Sequence, residues 1–244
     1  MPAAKRIYAA IMLAIGLGLG VGVASGEEYS DPAGFSFTHP KDWIVVTSQG
    51  IDSLSLNEAL MPETRAWIEK NSVDLSKVSV LLVRNGKDDF LENLNVVVEK
   101  QELVPNDRTL KALVEKMQQQ YVDMGVKVEG LAGRVEKMGA NEALVTEYQI
   151  HFPFIADTLK QKQAFIPGGG KTYIVTCTCK ADDFTAFTPT FDKILASMKV
   201  PARTIRGGVW NQSLKMGLVG GVVGGVTVGL LSLFRSRAGS KPRS

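Results

Sequence analysis

The chain is 244 residues long and carries a formal net charge of +3, but that charge is unevenly placed. Residues 27–200 hold 19 Lys+Arg against all 25 Asp+Glu of the chain, a net of −6, while the other nine basic residues sit towards the two ends. A mildly acidic central part of this length has no electrostatic basis for binding nucleic acid, and it is the size of one domain with a substantial core.

In chain order, Lys5 and Arg6 precede an apolar run from Ile7 to Val23 that closes on Ala24, Ser25 and Gly26. A positive start, an apolar middle and a small-residue exit make residues 1–26 a secretory signal with cleavage before Glu27; the alternative is an uncleaved N-terminal anchor. No Cys follows the run, which excludes a lipoprotein anchor.

The domain, 27–200, opens with Phe35 and Phe37 in alternation, a turn at Pro40 and a second short strand from Trp43 to Val46. Pro62 starts a helix carrying Trp67 and Ile68. Residues 78–84 and 94–99, rich in Val and Leu, read as a strand pair across a polar connection. From Asp107 the period changes: Leu110, Leu113, Val114, Met117, Tyr121 and Met124 recur at three and four, a helix with one buried stripe. Asp107 or Thr109 can cap it and Gly125 can end it. Strands follow over 126–138, possible to break at 130–133, then 143–152 and 159–166. Residues 167–170 form a turn into another strand over 172–180. A second amphipathic helix runs through Phe184, Phe187, Phe191, Ile194, Leu195 and Met198, with its start marked by Pro189. Regular strand–helix–strand alternation is missing, so an antiparallel sheet with packed helices is expected, an α+β fold.

Cys177 and Cys179, two apart in a strand, face the same way as Tyr173 and Val175. Their spacing is near the limit for a disulfide bridge, and two buried thiols acting as small apolar groups is the favoured reading.

Residues 201–215, with Gly207 and Gly208, are a linker. Residues 216–234 contain no charge and rise about 28 Å as a helix, enough to cross a bilayer. Gly217, Gly221, Gly225 and Gly229 recur every fourth position; with Gly220 and Gly224 they fill one half of the helix, opposite a half of Leu and Val. Such a face lets another helix approach closely. Trp210, just outside the span, fits a headgroup-level anchor. The tail 235–244 is basic and stays in the cytoplasm, where it meets anionic lipid. The expected protein is a single-pass one of a bacterial inner membrane, its main domain outside the cytoplasm, with lipid and another transmembrane helix, its own copy or a partner's, as neighbours.

Several stretches resemble the PsbP-like superfamily: Phe35-Ser-Phe37 with His39-Pro40 and Trp43, the strand Asn95–Val98, the strand holding Gln163, the strand Tyr173–Thr176, and the closing helix with Phe191 and Ile194 to Met198. That group includes the extrinsic subunit of photosystem II, exported bacterial relatives and a yeast Ran-binding protein. The resemblance covers most of 27–200. It implies an α/β/α sandwich around an antiparallel sheet and non-catalytic binding or assembly roles at membranes, and it transfers no binding residue. The C-terminal span departs from the exported relatives.

The search for chemistry yields no catalytic, cofactor-binding or metal-ligating residue. Gly168 to Thr172 resembles the end of a phosphate-binding loop, but Phe165 stands where its first glycine belongs and a strand follows instead of a helix. His39 and His151, the only histidines, come with no nucleophile signature. Asp88-Asp89 and Asp182-Asp183 offer no ladder of oxygen ligands for a cation. The expected function is thus a membrane-anchored extracytoplasmic binding or assembly module that needs no cofactor; the alternative is an exported hydrolase or metal-dependent enzyme with an unrecognised site.

Overall fold

A computed structural model describes residues 26–48, 70, 77–85 and 92–204. The signal, the Pro62 helix with Trp67, Asp88-Asp89, Trp210, the span with its six glycines and the basic tail lie outside the described residues. No helix among the described residues is long and apolar enough to cross a membrane.

Two short strands, β1 (Glu27–Ser30) and β2 (Ser36–His39), form an antiparallel ribbon. Its turn is built by Asp31, whose carboxylate accepts from Tyr29 Oη and from Ala33 N, both at 2.8 Å. Gly34 closes the turn at φ 99°, where only glycine is unstrained. Burial and the Asp31 carboxylate push the Tyr29 phenol up, so it stays a donor.

The remaining strands are β3 (Trp43–Thr47), β4 (Val78–Arg84), β5 (Asn93–Glu99), β6 (Lys127–Met138), β7 (Asn141–His151), β8 (Leu159–Gly168) and β9 (Lys171–Lys180). They make one seven-stranded sheet in the order β3-β4-β5-β9-β8-β7-β6. Every neighbouring pair is antiparallel. β6 is interrupted where sequence reasoning allowed it: the register slips between Glu129 and Ala132, with Gly130 at φ 63°.

The helices are α1 (Asp107–Asp123) and α2 (Phe184–Ser197). Tyr121 of α1 meets Tyr148 of β7, hydroxyl to hydroxyl at 2.8 Å. Asp192 of α2 meets Lys162 of β8 at 2.6 Å. Lys162 stands opposite Glu147, and successive residues Glu147 and Tyr148 point to opposite faces of a strand. The two helices therefore cover opposite faces of an α+β fold.

Two helix starts differ from expectation. The α1 cap is Asn106, whose side-chain oxygen accepts from Thr109 N at 2.8 Å, because the extended backbone needed at that position falls one residue before Asp107. Losing such a cap costs about 1 kcal/mol. α2 starts five residues before Pro189, at Phe184. Proline inside a helix removes the donor for the carbonyl four residues back; that carbonyl belongs to Thr185, which is exposed and open to water. Phe184 is buried, so packing holds the first turn despite the proline. The turn after β8 is also shorter than expected. Only Gly169 (φ 59°) and Gly170 (φ 78°) form it, while Pro167 and Gly168 pair with Thr172 and Lys171. Pro167 is tolerated because pairing of β8 with β7 stops at Phe165, which leaves no ladder donor to lose on that side.

The α2 face is a conventional core. Trp43 packs edge-on to Phe191 with centroids 6.1 Å apart, and Leu82, Leu94, Val96, Val175 and Ala164 lie beneath, all buried. Burying each large apolar side chain contributes about 2 kcal/mol. The α1 face differs. Beside an apolar row of Val97, Ile174, Phe165 and Leu144 run two polar ones: Asn95, Thr176, Gln163 and Thr146, then Asn93, Thr178, Gln161 and Tyr148. None of these eight exceeds 1 % exposure. Gln163 donates to Thr176 Oγ1 at 2.9 Å and Gln161 to Thr178 Oγ1 at 3.1 Å.

Candidate functional site

Residues 199–204, after α2, are held by a clasp centred on a buried carboxylate. Thr172 fixes the stretch after β5: its hydroxyl donates to Gln101 O at 2.6 Å and accepts from Leu103 N at 2.9 Å. Between them Glu102 turns inward, its side chain wholly buried. Its carboxylate accepts from Gly170 N at 2.6 Å, Thr204 Oγ1 at 2.8 Å and Thr204 N at 3.1 Å, with Arg203 Nε at 3.4 Å. One carboxylate thus joins three segments: the stretch after β5, the tip of the β8–β9 hairpin, and residues 203–204 beyond α2.

The same segment is held along its length. Lys199 bridges to Ser36 through two backbone hydrogen bonds of 2.8 and 3.0 Å, and Gly169 N donates to Ala202 O at 3.0 Å. A side chain at Gly168 would collide with the Pro201 carbonyl. The β1–β2 turn joins from the other side: Lys171 Nζ and Tyr173 Oη both donate to Ala33 O, at 3.1 and 3.2 Å. A buried carboxylate is costly unless its lone pairs are filled, and here backbone N–H groups, a hydroxyl and a guanidinium fill them. The arrangement holds a polypeptide in place.

The residues weighed for chemistry are dispersed. His39 is buried at the end of β2, with Nδ1 2.9 Å from Pro40 O. His151 ends β7, with Nδ1 3.2 Å from Thr158 Oγ1 and Nε2 3.8 Å from Glu129. Cys177 and Cys179 are free, buried and on the same face as Val175. Burial pushes the Cys177 thiol well above its ordinary value, and pushes Cys179 up to about 12 with help from the Glu92 and Asp183 charges. Both stay protonated and are poor nucleophiles. Asp183 occupies the α2 cap position but its side chain makes no capping bond. Lys171 and Thr172 are absorbed by the hairpin and clasp, which disposes of the phosphate-loop reading. No group of three or more His, Cys, Asp or Glu that could hold a metal occurs among the described residues.

Sequence reasoning missed Glu102, since a lone carboxylate two residues before Val104-Pro105 has no periodic signal. The polar rows did leave one: Asn93 and Asn95, Gln161 and Gln163, Thr176 and Thr178 alternate at the strand period.

No family model matches the chain, and no curated protein does. Solved structures do. A cyanobacterial PsbP from Synechocystis is 19 % identical with a TM-score of 0.48, over 77 % of this chain and 99 % of that one. LpqN of Mycobacterium tuberculosis, described as involved in cell envelope biogenesis, is 10 % identical with a TM-score of 0.40, over 72 % of this chain and 85 % of its own. A protein from Bacteroides thetaiotaomicron is 10 % identical with a TM-score of 0.42, over 75 % of this chain and 51 % of that one.

Proposed function

We propose that the chain is an extracytoplasmic, non-catalytic binding or assembly module, tethered to the bacterial inner membrane by the glycine-faced span 216–234. The observation that carries this reading is the clasp. Residues 199–204 do not trail away from α2; they are laid along the hairpin tip and locked by Glu102, twelve residues before the apolar run begins. A tether that starts from a fixed point keeps the domain close to its anchor. Twelve residues reach at most about 40 Å when extended.

The signal 1–26 and the basic tail support this direction, and the lipid-facing half of the span supports its depth. The glycine half supports contact with a second helix. The envelope role printed for LpqN is compatible with such a module. No observation among the described residues favours the alternative of a hydrolase or metal-dependent enzyme.

Membrane fractionation tests the tether. Full-length chain is expected to stay with carbonate-washed membranes, whereas a chain ending at Thr204 is released into the extracytoplasmic soluble fraction. If both distribute alike in the soluble fraction, the tether is refuted.

A further inference from the structure

β6 is the end strand of the seven-stranded sheet and pairs with β7 alone. From Ala132 to Met138 its ladder with β7 is regular, beyond the slip at Glu129. The hairpin turn between the two strands is Gly139 and Ala140, so the flanking pair Met138 and Asn141 exchanges both backbone hydrogen bonds, and every second pair along the strand does the same. The backbone groups of Ala132, Arg134, Glu136 and Met138 therefore serve β7. Those of Gly133, Val135 and Lys137 point away from the sheet, and no backbone hydrogen bond from a turn or loop among the described residues reaches them. Residues 132–135 are exposed one after another, and Val135 is one of two exposed large hydrophobics among the described residues, the other being Val122 of α1. An open edge of this kind is a template for another strand.

We propose that residues 132–138 of β6 pair antiparallel with the same residues of a second copy of this chain, centred on Val135. The stretch reads Ala-Gly-Arg-Val-Glu-Lys-Met and is complementary to itself in that register. Val135 meets Val135 of the second copy, and Gly133 meets Lys137 in both directions. Each of these pairs joins residues whose backbone groups point outward, which gives about six hydrogen bonds between the copies. Arg134 then stands opposite Glu136 of the second copy, twice by symmetry, at the closer non-hydrogen-bonded positions where opposite charges attract. Within one chain Arg134 Nε donates to Glu136 at 2.8 Å and Nη1 to Glu147 at 3.1 Å, with about half of the side chain exposed. Guanidinium N–H groups remain for a further carboxylate. Neighbouring registers fail. A slip of one residue sets outward-pointing backbone groups against inward-pointing ones. A slip of two in either direction brings Arg134 against Arg134 or Glu136 against Glu136, like charges directly opposite. Charges on an edge strand ordinarily discourage pairing; here they select one partner and one alignment.

Val135→Cys in the full-length chain tests the register, with Glu115→Cys at an exposed position of α1 as the control; the native Cys177 and Cys179 are buried. In the proposed pairing the two Cα atoms of residue 135 are about 5.5 Å apart, within reach of a disulfide. Oxidation of the detergent-solubilised chain with copper phenanthroline is expected to give a disulfide-linked dimer through residue 135 and little through residue 115. Arg134→Glu or Glu136→Arg, each added to Val135→Cys, is expected to lower the dimer yield on the order of tenfold by setting like charges opposite. Mixing these two variants restores the yield, because each then supplies the charge the other lacks, and restoration also shows that both fold. Where either charge variant does not fold, the contrast between residues 135 and 115 decides alone. No dimer through 135, equal yields at 135 and 115, yields that folded charge variants leave unchanged, or a mixture of folded variants that restores nothing overturns the proposal. Both cysteine positions sit in the same full-length chain, so any contact between spans raises them alike, and this proposal and the tether fail separately.

Discussion

Glu102 shows how much one side chain can organise. Its carboxylate fills its lone pairs from the hairpin tip and from residues 203–204, so removing it leaves the 199–204 segment held by its backbone hydrogen bonds alone. Glu102→Ala is expected to cost roughly 1–2 kcal/mol in urea unfolding, because charge-assisted hydrogen bonds are given up while their donors regain access to water. It should also expose the 199–204 segment to limited proteolysis; unchanged cleavage would mean that its backbone contacts alone suffice to hold it. Cys179 gives a pH signature. Its folded pKa is raised to about 12 from 9.0, so the folded state holds the proton more tightly. The stabilisation from this thiol is complete below pH 9 and is lost as pH rises towards 12. Unfolding free energy measured across that range should fall, and Cys179→Ala should flatten part of the decline.

At the level of elements, local chemistry and packing share the decisions. The hairpin at Gly169-Gly170, the slip in β6 at Gly130 and the stripe of α1 are legible in the sequence because each rests on a local rule: left-handed backbone, bulge geometry, or a repeat of 3.6. The start of α2 is not legible, because Pro189 signals a beginning while the buried Phe184 sets one a turn earlier through contacts distant in sequence. Glu102 is illegible for the same reason; its partners lie 68 and 102 residues away. Gly168 is a further case, since its role is set by Pro201 passing over it. Gly168→Ala should destabilise by about 1–3 kcal/mol through collision with a backbone carbonyl that cannot rotate away. A chemical denaturation midpoint equal to wild type would show that residues 201–204 peel off easily. In the proposed span 216–234, replacing Gly221 and Gly225 with Leu should abolish crosslinking to a partner helix while leaving membrane retention intact, because leucine would fill the proposed contact face yet remain apolar.

At the scale of the molecule, the two faces of the sheet divide the work. The α2 face is mainly apolar, with the Lys162–Asp192 ion pair set into it; the α1 face carries polar rows at its centre, where stability alone would place Val or Leu. The clasp, the β1–β2 turn and the tip of the β8–β9 hairpin gather at one end of the sheet, around residues 199–204. The most direct measurement of the tethering claim is protease digestion of spheroplasts from bacteria expressing the chain with an epitope after Ser244. A tethered, outward-facing domain predicts that external protease removes the domain and leaves a short membrane-bound fragment that still carries the epitope. Full-length protein that survives until the membrane is permeabilised, or epitope that is digested together with the domain, would contradict it.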